Sequence, residues 1–283
     1  MKRVDRIKEL RQQVAAWRVA GDRIALVPTM GNLHAGHLEL VKQAQQRADR
    51  VIVSIFVNPM QFGAGEDFGS YPRTLDQDAV QLDAIKTDLL FSPPVAEVYP
   101  HGQEEQTVVT VPGLSDIFCG ASRPGHFTGV ATVVCKLFNM VQADLALFGT
   151  KDFQQLLLIR RMAEDLCIPI KIIGIPTVRE NDGLARSSRN GYLTAAERNI
   201  APALYRVLCE TSSAIAEGNS DYRALELEAK QALETAGFKP DYYSIRNADA
   251  LTEPKNEEKN LVILAAAYLG RARLIDNLLV ENG

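Results

Sequence analysis

The sequence is poor in cysteine, in long apolar runs and in charge of one sign. Its 283 residues include 4 cysteines without a Cys-x-x-Cys pair, which argues against a disulfide framework and a zinc site. No run of about 18 apolar residues occurs and the chain starts MKRVDRIKEL, so neither a membrane span nor a signal peptide is expected. The net charge is -4, which provides no overall attraction to nucleic acid. We therefore expect a cytoplasmic protein that binds neither nucleic acid nor membranes.

Several common nucleotide and hydrolase motifs are also absent. The chain contains no GxxxxGK[ST], HExxH or GxSxG sequence. The glycines between Gly63 and Gly69 have the wrong spacing for GxGxxG, and we interpret this segment as a mobile loop. Phosphate-loop ATPases, zinc proteases and α/β-hydrolases are thereby excluded.

The pattern of apolar runs indicates the fold class. The length suggests about two domains. Short apolar runs alternate with amphipathic stretches up to about residue 177, which predicts an α/β fold with a Rossmann-like, doubly wound parallel sheet. Two helical stretches and three strand candidates follow, which predicts a second, smaller α+β domain. We expect a catalytic domain over 1–177 and a C-terminal lid domain over 178–283.

Element boundaries are predicted from periodicity and from breaking residues. The predicted helices cover residues 7–17, 33–50, 75–85, 130–141, 153–166, 200–217 and 222–236. The predicted strands cover residues 23–27, 51–57, 89–91, 108–111, 145–148, 171–175, 242–246, 261–267 and 273–280. Pro28 is expected to end the first of these strands.

Two of the 4 histidines lie where the first predicted strand passes into a helix, in the string PTMGNLHAGH at 28–37. His34 and His37 share one helical face, and the helix N-terminus supplies N–H groups and a partial positive charge. Gly31 allows a tight turn, and Gly36 lets a flat base or a phosphate approach closely. A packed histidine pair is the alternative, but the complete string favours a phosphate site.

This string resembles the opening motif of the pantoate-β-alanine ligases, a family in the HxGH class of nucleotidyltransferases. The likeness continues in family order through NPMQF at 58–62, YPR at 71–73, RPGHFTGV at 123–130, GTKDFQQ at 149–155 and RSSRN at 186–190. Two departures affect nucleotide contacts: Arg186 stands where relatives usually carry an apolar residue, and Thr150 where they often carry an acidic one. The resemblance implies a homodimeric enzyme that condenses (R)-pantoate with β-alanine, using ATP and Mg²⁺, through a pantoyl adenylate.

The resemblance also implies roles for individual residues. Catalysis at the phosphates is expected from His34, His37, Lys151, Ser187, Ser188 and Arg189. ATP is expected to contact these residues together with Met30, Gly31, Asn32, Leu33, Ala35, Gly36, Gly149, Thr150, Asp152, Val178 and Arg186. Pantoate and β-alanine are expected to contact Asn58, Gln61, Arg123 and Gln155. No residue is assigned to the metal.

Some of these segments have a second interpretation. Asn58 before a proline is typical of a turn, and GTKD at 149–152 also fits a helix cap after a strand. Asp76 and Asp78 fit either a nucleotide-bound Mg²⁺ or a charged helix face. Arg179 is as typical of solvated surface as of a ligand site.

Two other functions stay open at this point. One is an HxGH enzyme that transfers a nucleotidyl group to a phosphate acceptor. The carboxamides of Asn58, Gln61 and Gln155 disfavour it, because a phosphate acceptor calls for more cations. The other is a non-catalytic nucleotide sensor or scaffold, which the complete set of His, Lys and Ser-Ser-Arg elements disfavours.

Overall fold

The chain divides into two compact units. The computed structural model describes residues 1–63, 66, 68–255 and 258–280. The first unit combines Met1–Thr150 with Gln155–Pro176, and the second combines Lys151–Gln154 with the chain from Thr177 onward. The assignment of separate functional domains to 1–177 and 178–283 stays a prediction.

The first unit is built around a six-stranded parallel sheet with helical connections. Its strands are β1 (Lys2–Val4), β2 (Ile24–Thr29), β3 (Arg50–Ile55), β4 (Leu89–Phe91), β5 (Leu145–Gly149) and β6 (Lys171–Ile175). Its helices are α1 (Ile7–Val19), α2 (Ala35–Gln45), α3 (Leu75–Ala84), α4 (Val95–Val98), α5 (Cys119–Ser122), α6 (His126–Val141) and α7 (Phe153–Asp165). The strand order is β1-β4-β3-β2-β5-β6, so the direction of winding reverses between β2 and β5.

Strand β2 lies at the buried centre of this sheet. Ile24, Ala25, Leu26 and Val27 are each 0% exposed, as is typical of a parallel strand covered on both faces. β2 pairs with β3 as far as Thr29 but with β5 only at Ala25 and Leu26. No ladder therefore joins the carboxyl ends of β2 and β5, which is the place where doubly wound sheets bind ligands.

Two strand predictions are wrong. Pro28 does not end β2, because the strand continues and Pro28 pairs with Ser54 of β3. The ladder to β5 has ended before this position, so the missing N–H of Pro28 breaks no bond there. Residues 108–111 form no strand. Val109 N–H donates instead to the Thr132 hydroxyl at 2.9 Å, which ties this β-branched run to α6.

The second unit packs helices against a three-stranded antiparallel sheet. Its helices are α8 (Ala195–Ile200), α9 (Ala203–Ala216) and α10 (Tyr222–Thr235), and its strands are β7 (Lys239–Asn247), β8 (Leu261–Leu269) and β9 (Ala272–Val280), in that spatial order. Tyr243 is 0% exposed in its core and donates to the Thr211 hydroxyl at 2.7 Å. Burial raises the pKa of Tyr243. The predicted α/β class, with a smaller α+β part, is confirmed.

Several boundaries differ from the prediction for local reasons. The helix predicted over 200–217 begins only at Ala203, because α8 ends at Ile200 and Pro202 has no N–H to continue it. Strand β1 was not predicted, because its three residues are too few to show a pattern. α6 begins at His126 rather than 130, directly after Gly125 in the left-handed conformation (φ 80°).

The structure also bears on the expected lack of membrane spans and of disulfides. Among the described residues, no helix combines the length and apolar character needed to cross a membrane. None of the cysteines at 119, 135, 167 and 209 forms a disulfide within the described part of the chain.

Candidate active site

The histidine motif forms the N-terminus of α2, after the carboxyl end of β2. His34 is the N-cap residue, and its Nδ1 accepts a hydrogen bond from the Gly36 N–H at 3.1 Å. His37 Nδ1 accepts from the His34 N–H at 3.3 Å, and the two ring centroids lie 4.0 Å apart. Because each Nδ1 is an acceptor, each neutral imidazole carries its proton on Nε2. The motif thus presents two Nε2–H donors at a helix N-terminus.

A buried carboxylate that sequence reasoning missed holds the loop before the histidines. Asp78 of α3 is 1% exposed. Its Oδ2 accepts from the Asn32 N–H at 2.9 Å and its Oδ1 from the Leu33 N–H at 2.8 Å, while the Thr74 hydroxyl donates to Oδ2 at 3.1 Å. The spacing in the sequence does indicate this burial, because Asp78 lies four residues before the buried Leu82 and so on the apolar face of α3. Asp78 therefore shapes the motif and is not a charged surface residue.

Glycine is required at the turn of this loop. Gly31 has φ 82°, in the left-handed region that side chains disfavour. A Cβ there would lie 3.1 Å from Asp78 Oδ2 and 3.1 Å from Ile55 Cγ2. Asn32 follows with φ 50°, a conformation that Asn tolerates better than most residues. The two left-handed residues turn the chain back so that its N–H groups face Asp78.

We expect Asp78→Asn to destabilise the protein and to lower its activity. The amide nitrogen would face a backbone N–H that the carboxylate now accepts, leaving a buried donor unpaired at a cost of about 1–3 kcal/mol. Urea denaturation measures the stability, and turnover measures the effect on the histidine loop. Asp76→Asn is the matched control on the same helix, because the Asp76 side chain is 99% exposed. Equal unfolding midpoints for the two variants would contradict the anchoring role.

Asn58 is fully engaged inside the fold. It is 1% exposed, and its Nδ2 donates to Gln61 Oε1 at 3.2 Å and to the Gly129 carbonyl at 3.0 Å. Its Oδ1 accepts from the Met60 N–H at 3.3 Å and from the Tyr99 hydroxyl at 2.7 Å. An Asn side chain has two donor hydrogens and one acceptor oxygen with two lone pairs. This geometry favours a positioning role for Asn58 over direct contact with substrate.

The neighbouring Gln61 lies in the 3₁₀ turn Pro59–Gln61 after β3. Its Nε2 is 2.9 Å from Met30 Sδ, so the carboxamide is held between Asn58 and Met30. Helix α6 reaches this turn through Gly129, where a Cβ would overlap the Met60 carbonyl oxygen and lie 2.6 Å from Gln61 N. Only glycine permits that approach, and nothing in the local sequence indicated it.

Arg123, an expected substrate ligand, forms a two-point ion pair with Glu66. Arg123 Nε donates to Oε1 at 2.7 Å and Nη2 to Oε2 at 2.5 Å. Hydrogen bonds from Arg123 lower the pKa of the Glu66 carboxyl. His126 lies behind the pair, with Nε2 3.0 Å from Arg123 Nη1 and Nδ1 2.8 Å from the Gln61 carbonyl oxygen. Residues 64, 65 and 67 of the expected mobile loop lie outside the described residues.

The remaining expected residues of the first unit follow β5. Gly149 ends this strand, opposite Ile175 of β6, and Thr150 starts the 3₁₀ turn that leads to α7. Gln155 lies half-buried in the first turn of α7. Because β5 neighbours β2, the GTKD segment and the histidine motif both leave the sheet at the reversal of winding.

In the second unit, Lys151 and the serine-arginine segment line one cavity. Its lining residues are Lys151, Leu184, Ala185, Ser187, Arg189, Asn190, Leu204, Tyr205, Arg273, Leu274, Ile275 and Asp276. The Lys151 carbonyl accepts from Asn277 Nδ2 at 2.8 Å, and its Nζ lies 3.6 Å from Asp152 Oδ2. Arg189 has no carboxylate partner within the described part of the chain. This cavity therefore presents cations and a serine hydroxyl together.

Ser187 caps the 3₁₀ turn Ser188–Tyr192 and accepts from the Arg189 N–H at 3.3 Å. The strand-like segment before it pairs back on the chain, because the Arg186 N–H donates to the Val178 carbonyl at 2.9 Å. The Arg186 guanidinium lies 2.9 Å from a Glu180 carboxylate oxygen. The charge at this unusual position is therefore already paired.

Arg179 is neither a surface residue nor an evident ligand. Its guanidinium makes a two-point ion pair with Asp276, at 2.5 and 2.9 Å, and lies 3.6 Å from the centroid of the Tyr205 ring. The Asp276 side chain is 2% exposed. Arg179 also donates to the Gly183 carbonyl at 3.1 Å. It anchors the segment that leads to the serines.

The family model of pantoate-beta-alanine ligases matches residues 2–279. The chain belongs to the pantoate-β-alanine ligase family. It is 59% identical over 272 residues to the pantothenate synthetase of Shewanella oneidensis, with 96% of each chain covered. It is 57% identical over 277 residues to that of Idiomarina loihiensis, with 98% of each covered.

Solved structures of pantoate-β-alanine ligases agree with the fold. The pantothenate synthetase of Thermus thermophilus matches with a TM-score of 0.93 at 43% identity, covering 99% of this chain and 100% of that one. The ligase of Francisella tularensis, solved with β-γ ATP and β-alanine, matches with a TM-score of 0.82 at 36% identity, covering 100% and 99%. The family resemblance carried by the motifs is confirmed. The protein is a ligase that joins pantoate to β-alanine to give pantothenate.

Proposed function

We propose that the protein activates (R)-pantoate with ATP and keeps the product as a bound pantoyl adenylate. In the first step a pantoate carboxylate oxygen attacks the α-phosphorus, and pyrophosphate leaves. In the second step the β-alanine amine attacks the activated carbonyl, and AMP leaves with the C–O bond electrons. The observation that carries this proposal is the pair of imidazoles at the α2 N-terminus, each held through its Nδ1, beside the reversal of winding. No covalent enzyme nucleophile is required.

His34 and His37 are assigned to the α-phosphoryl oxygens. Negative charge builds on these oxygens as the carboxylate attacks, and donors fixed in place before the reaction stabilise that charge selectively. The Nδ1 hydrogen bonds fix both rings in orientation and in tautomer. The N-terminus of α2 adds its N–H groups to the same region. The loop from Met30 through Leu33 is assigned to the nucleotide.

Lys151, Ser187, Ser188 and Arg189 are assigned to the departing pyrophosphate. Phosphoryl-type transfer depends mainly on positioning and on charge, which these cations and hydroxyls supply. Mg²⁺ is assigned to the phosphates of ATP, because proteins usually hold it through one or two carboxylates and substrate phosphates. Asp152, whose Oδ2 lies 3.6 Å from Lys151 Nζ, would hold the metal together with the phosphates. Held there, Mg²⁺ would supply positive charge against the leaving group.

Gln61 and Gln155 are assigned to pantoate, and Arg123 to the second substrate. Pantoate offers hydroxyl groups that carboxamides pair well, whereas the β-alanine carboxylate does not react and suits a guanidinium. Asn58 acts through Gln61. We assign ATP and pantoate binding to residues 1–177, and a lid that keeps water from the acyl adenylate to residues 178–283.

Exchange of labelled pyrophosphate into ATP tests the two-step reaction. With pantoate present and β-alanine absent, we expect exchange, because only a reversible adenylation step returns label to ATP. Omitting pantoate, or replacing it with β-alanine alone, is the control and should abolish the exchange. Pantothenate synthesis without any exchange would contradict an adenylate that forms before β-alanine binds. Pantoate-independent exchange would contradict the assigned acid.

We also propose that the enzyme is a cytoplasmic homodimer, as the family resemblance implies. Size-exclusion chromatography with light scattering measures the assembly, and a mass near one chain of 31.2 kDa would contradict it. Fractionation of the source cells tests the compartment. Recovery of the activity with membranes or outside the cell would contradict it.

A further inference from the structure

The ion pair between Arg123 and Glu66 lies beside the 3₁₀ turn that carries Gln61. Both side chains are largely buried, with 16% of Arg123 and 24% of Glu66 exposed. Arg123 is held from behind by His126, which also contacts the Gln61 carbonyl oxygen. Arg123 Nη2 itself lies 3.5 Å from that same oxygen. The guanidinium is therefore fixed next to the turn that carries a proposed substrate residue.

Glu66 uses the edge of Arg123 that suits a carboxylate ligand. A guanidinium binds carboxylates best through two parallel N–H groups, and Glu66 takes the Nε and Nη2 pair. The remaining Nη1 faces His126. A substrate carboxylate that binds Arg123 in two-point fashion must therefore replace the Glu66 carboxylate.

The chemistry of the reaction indicates which substrate carboxylate this is. The pantoate carboxylate attacks phosphorus, and an ion pair to arginine would reduce its nucleophilicity. The β-alanine carboxylate passes unchanged into the product. The arginine edge therefore suits β-alanine, whose carboxylate has the same planar two-oxygen geometry as that of Glu66.

We propose that Glu66 is an internal competitor for β-alanine at Arg123. This inference rests on the proposed substrate role of Arg123. In the free enzyme Glu66 keeps a largely buried cation paired and oriented, which avoids the large cost of an unpaired buried charge. When β-alanine binds, its carboxylate replaces that of Glu66 at Arg123. The guanidinium therefore keeps the same type of charged hydrogen bonds. An amine that lacks a carboxylate cannot replace Glu66 at Arg123. Glu66 thereby favours amino acids such as β-alanine over simple amines.

Glu66→Gln tests the proposal through steady-state kinetics. We expect the KM for β-alanine to fall about three- to tenfold, because the amide competes less well and a larger fraction of Arg123 is available. The effect is confined to β-alanine, with the KM values for pantoate and ATP unchanged. Propionate, which carries the carboxylate without the amine, should inhibit more strongly in the variant by the same factor. Glu97→Gln is the matched control, since Glu97 pairs with Arg6 at 3.0 Å elsewhere in the first unit.

Arg123→Gln and the double variant separate the possible failures. If the proposal holds, Arg123→Gln raises the KM for β-alanine, and adding Glu66→Gln to it changes nothing further. A raised KM in both single variants overturns the proposal and makes Glu66 a support for Arg123. An unchanged KM in Arg123→Gln overturns the substrate role of Arg123 and the inference with it. The first assay of all, wild-type synthesis of pantothenate from pantoate, β-alanine and ATP, tests the proposed function independently of both residues.

Discussion

Replacement of His37 by alanine is expected to slow pantoyl adenylate formation about a hundredfold, a loss of roughly 3 kcal/mol of transition-state stabilisation. The reason is the loss of the fixed Nε2–H donor that we assign to the α-phosphoryl oxygens. In the native enzyme His37 Nδ1 is fixed by the His34 N–H, so Nε2 is the donor without any rearrangement at the moment of reaction. Single-turnover formation of pyrophosphate measures this step directly.

His101 provides the control for His37. It lies in an exposed turn and takes part in none of the hydrogen bonds of the motif. His101→Ala should therefore leave the adenylation rate within about twofold of wild type, as surface substitutions usually do. Because His37→Ala also removes an acceptor at the helix start, its unfolding midpoint must be compared with that of the wild type. Near-native adenylation by a folded His37→Ala enzyme would rule out the assigned role.

The parts of the fold that sequence reasoning predicted well are those set by local composition. The strand from Ile24 to Val27 is apolar on both faces, and a strand of that kind is stable only between two layers of helices. The motif from Gly31 to His37 then follows, because a tight turn, an N-cap and a helix start are all local features. The same reasoning placed GTKD after β5. Together these two junctions locate the candidate site.

What the sequence did not show depends on contacts between distant segments. Asp78 accepts hydrogen bonds from residues more than 40 positions away, and Gly129 is required only because α6 meets the 3₁₀ turn after β3. Neither partner can be read from neighbouring residues. Val109 has high β-propensity, yet propensity forms no strand without an edge to pair with. Side-chain roles that are set by such contacts, including that of Asn58, therefore need the structure.

Residue type also does not show which arginines are already engaged in ion pairs. Arg179 and Arg186 both lie near the serine segment, and either one fits a phosphate ligand by residue type alone. The structure pairs Arg179 with the buried Asp276 and Arg186 with Glu180. Arg189 has no such partner among the described residues. An anionic ligand can therefore pair with Arg189 without first breaking an ion pair, which is not so for Arg179 or Arg186.

Lys151→Ala is expected to impair adenylate formation about a hundredfold while leaving the use of preformed pantoyl adenylate nearly intact. The Lys151 backbone is held by Asn277 and its side chain is 16% exposed, so the ammonium is positioned at the cavity that Ser187 and Arg189 also line. In the proposed reaction, a cation there acts on the charge of the departing pyrophosphate, which forms only in the first step. Pantoate-dependent pyrophosphate exchange measures that step, and pantothenate formation from added pantoyl adenylate measures the second.

Two substitutions make this experiment decisive. Lys239→Ala removes an exposed lysine of the second unit and should leave both half-reactions unchanged. Lys151→Arg keeps the charge but changes its geometry, and partial recovery of exchange would show that charge at this position is what matters. If Lys151→Ala keeps full exchange and is slow only with β-alanine, the lysine acts on the second step. The phosphate assignment of the whole cavity would then be wrong, because Lys151 is one of the cations that line it.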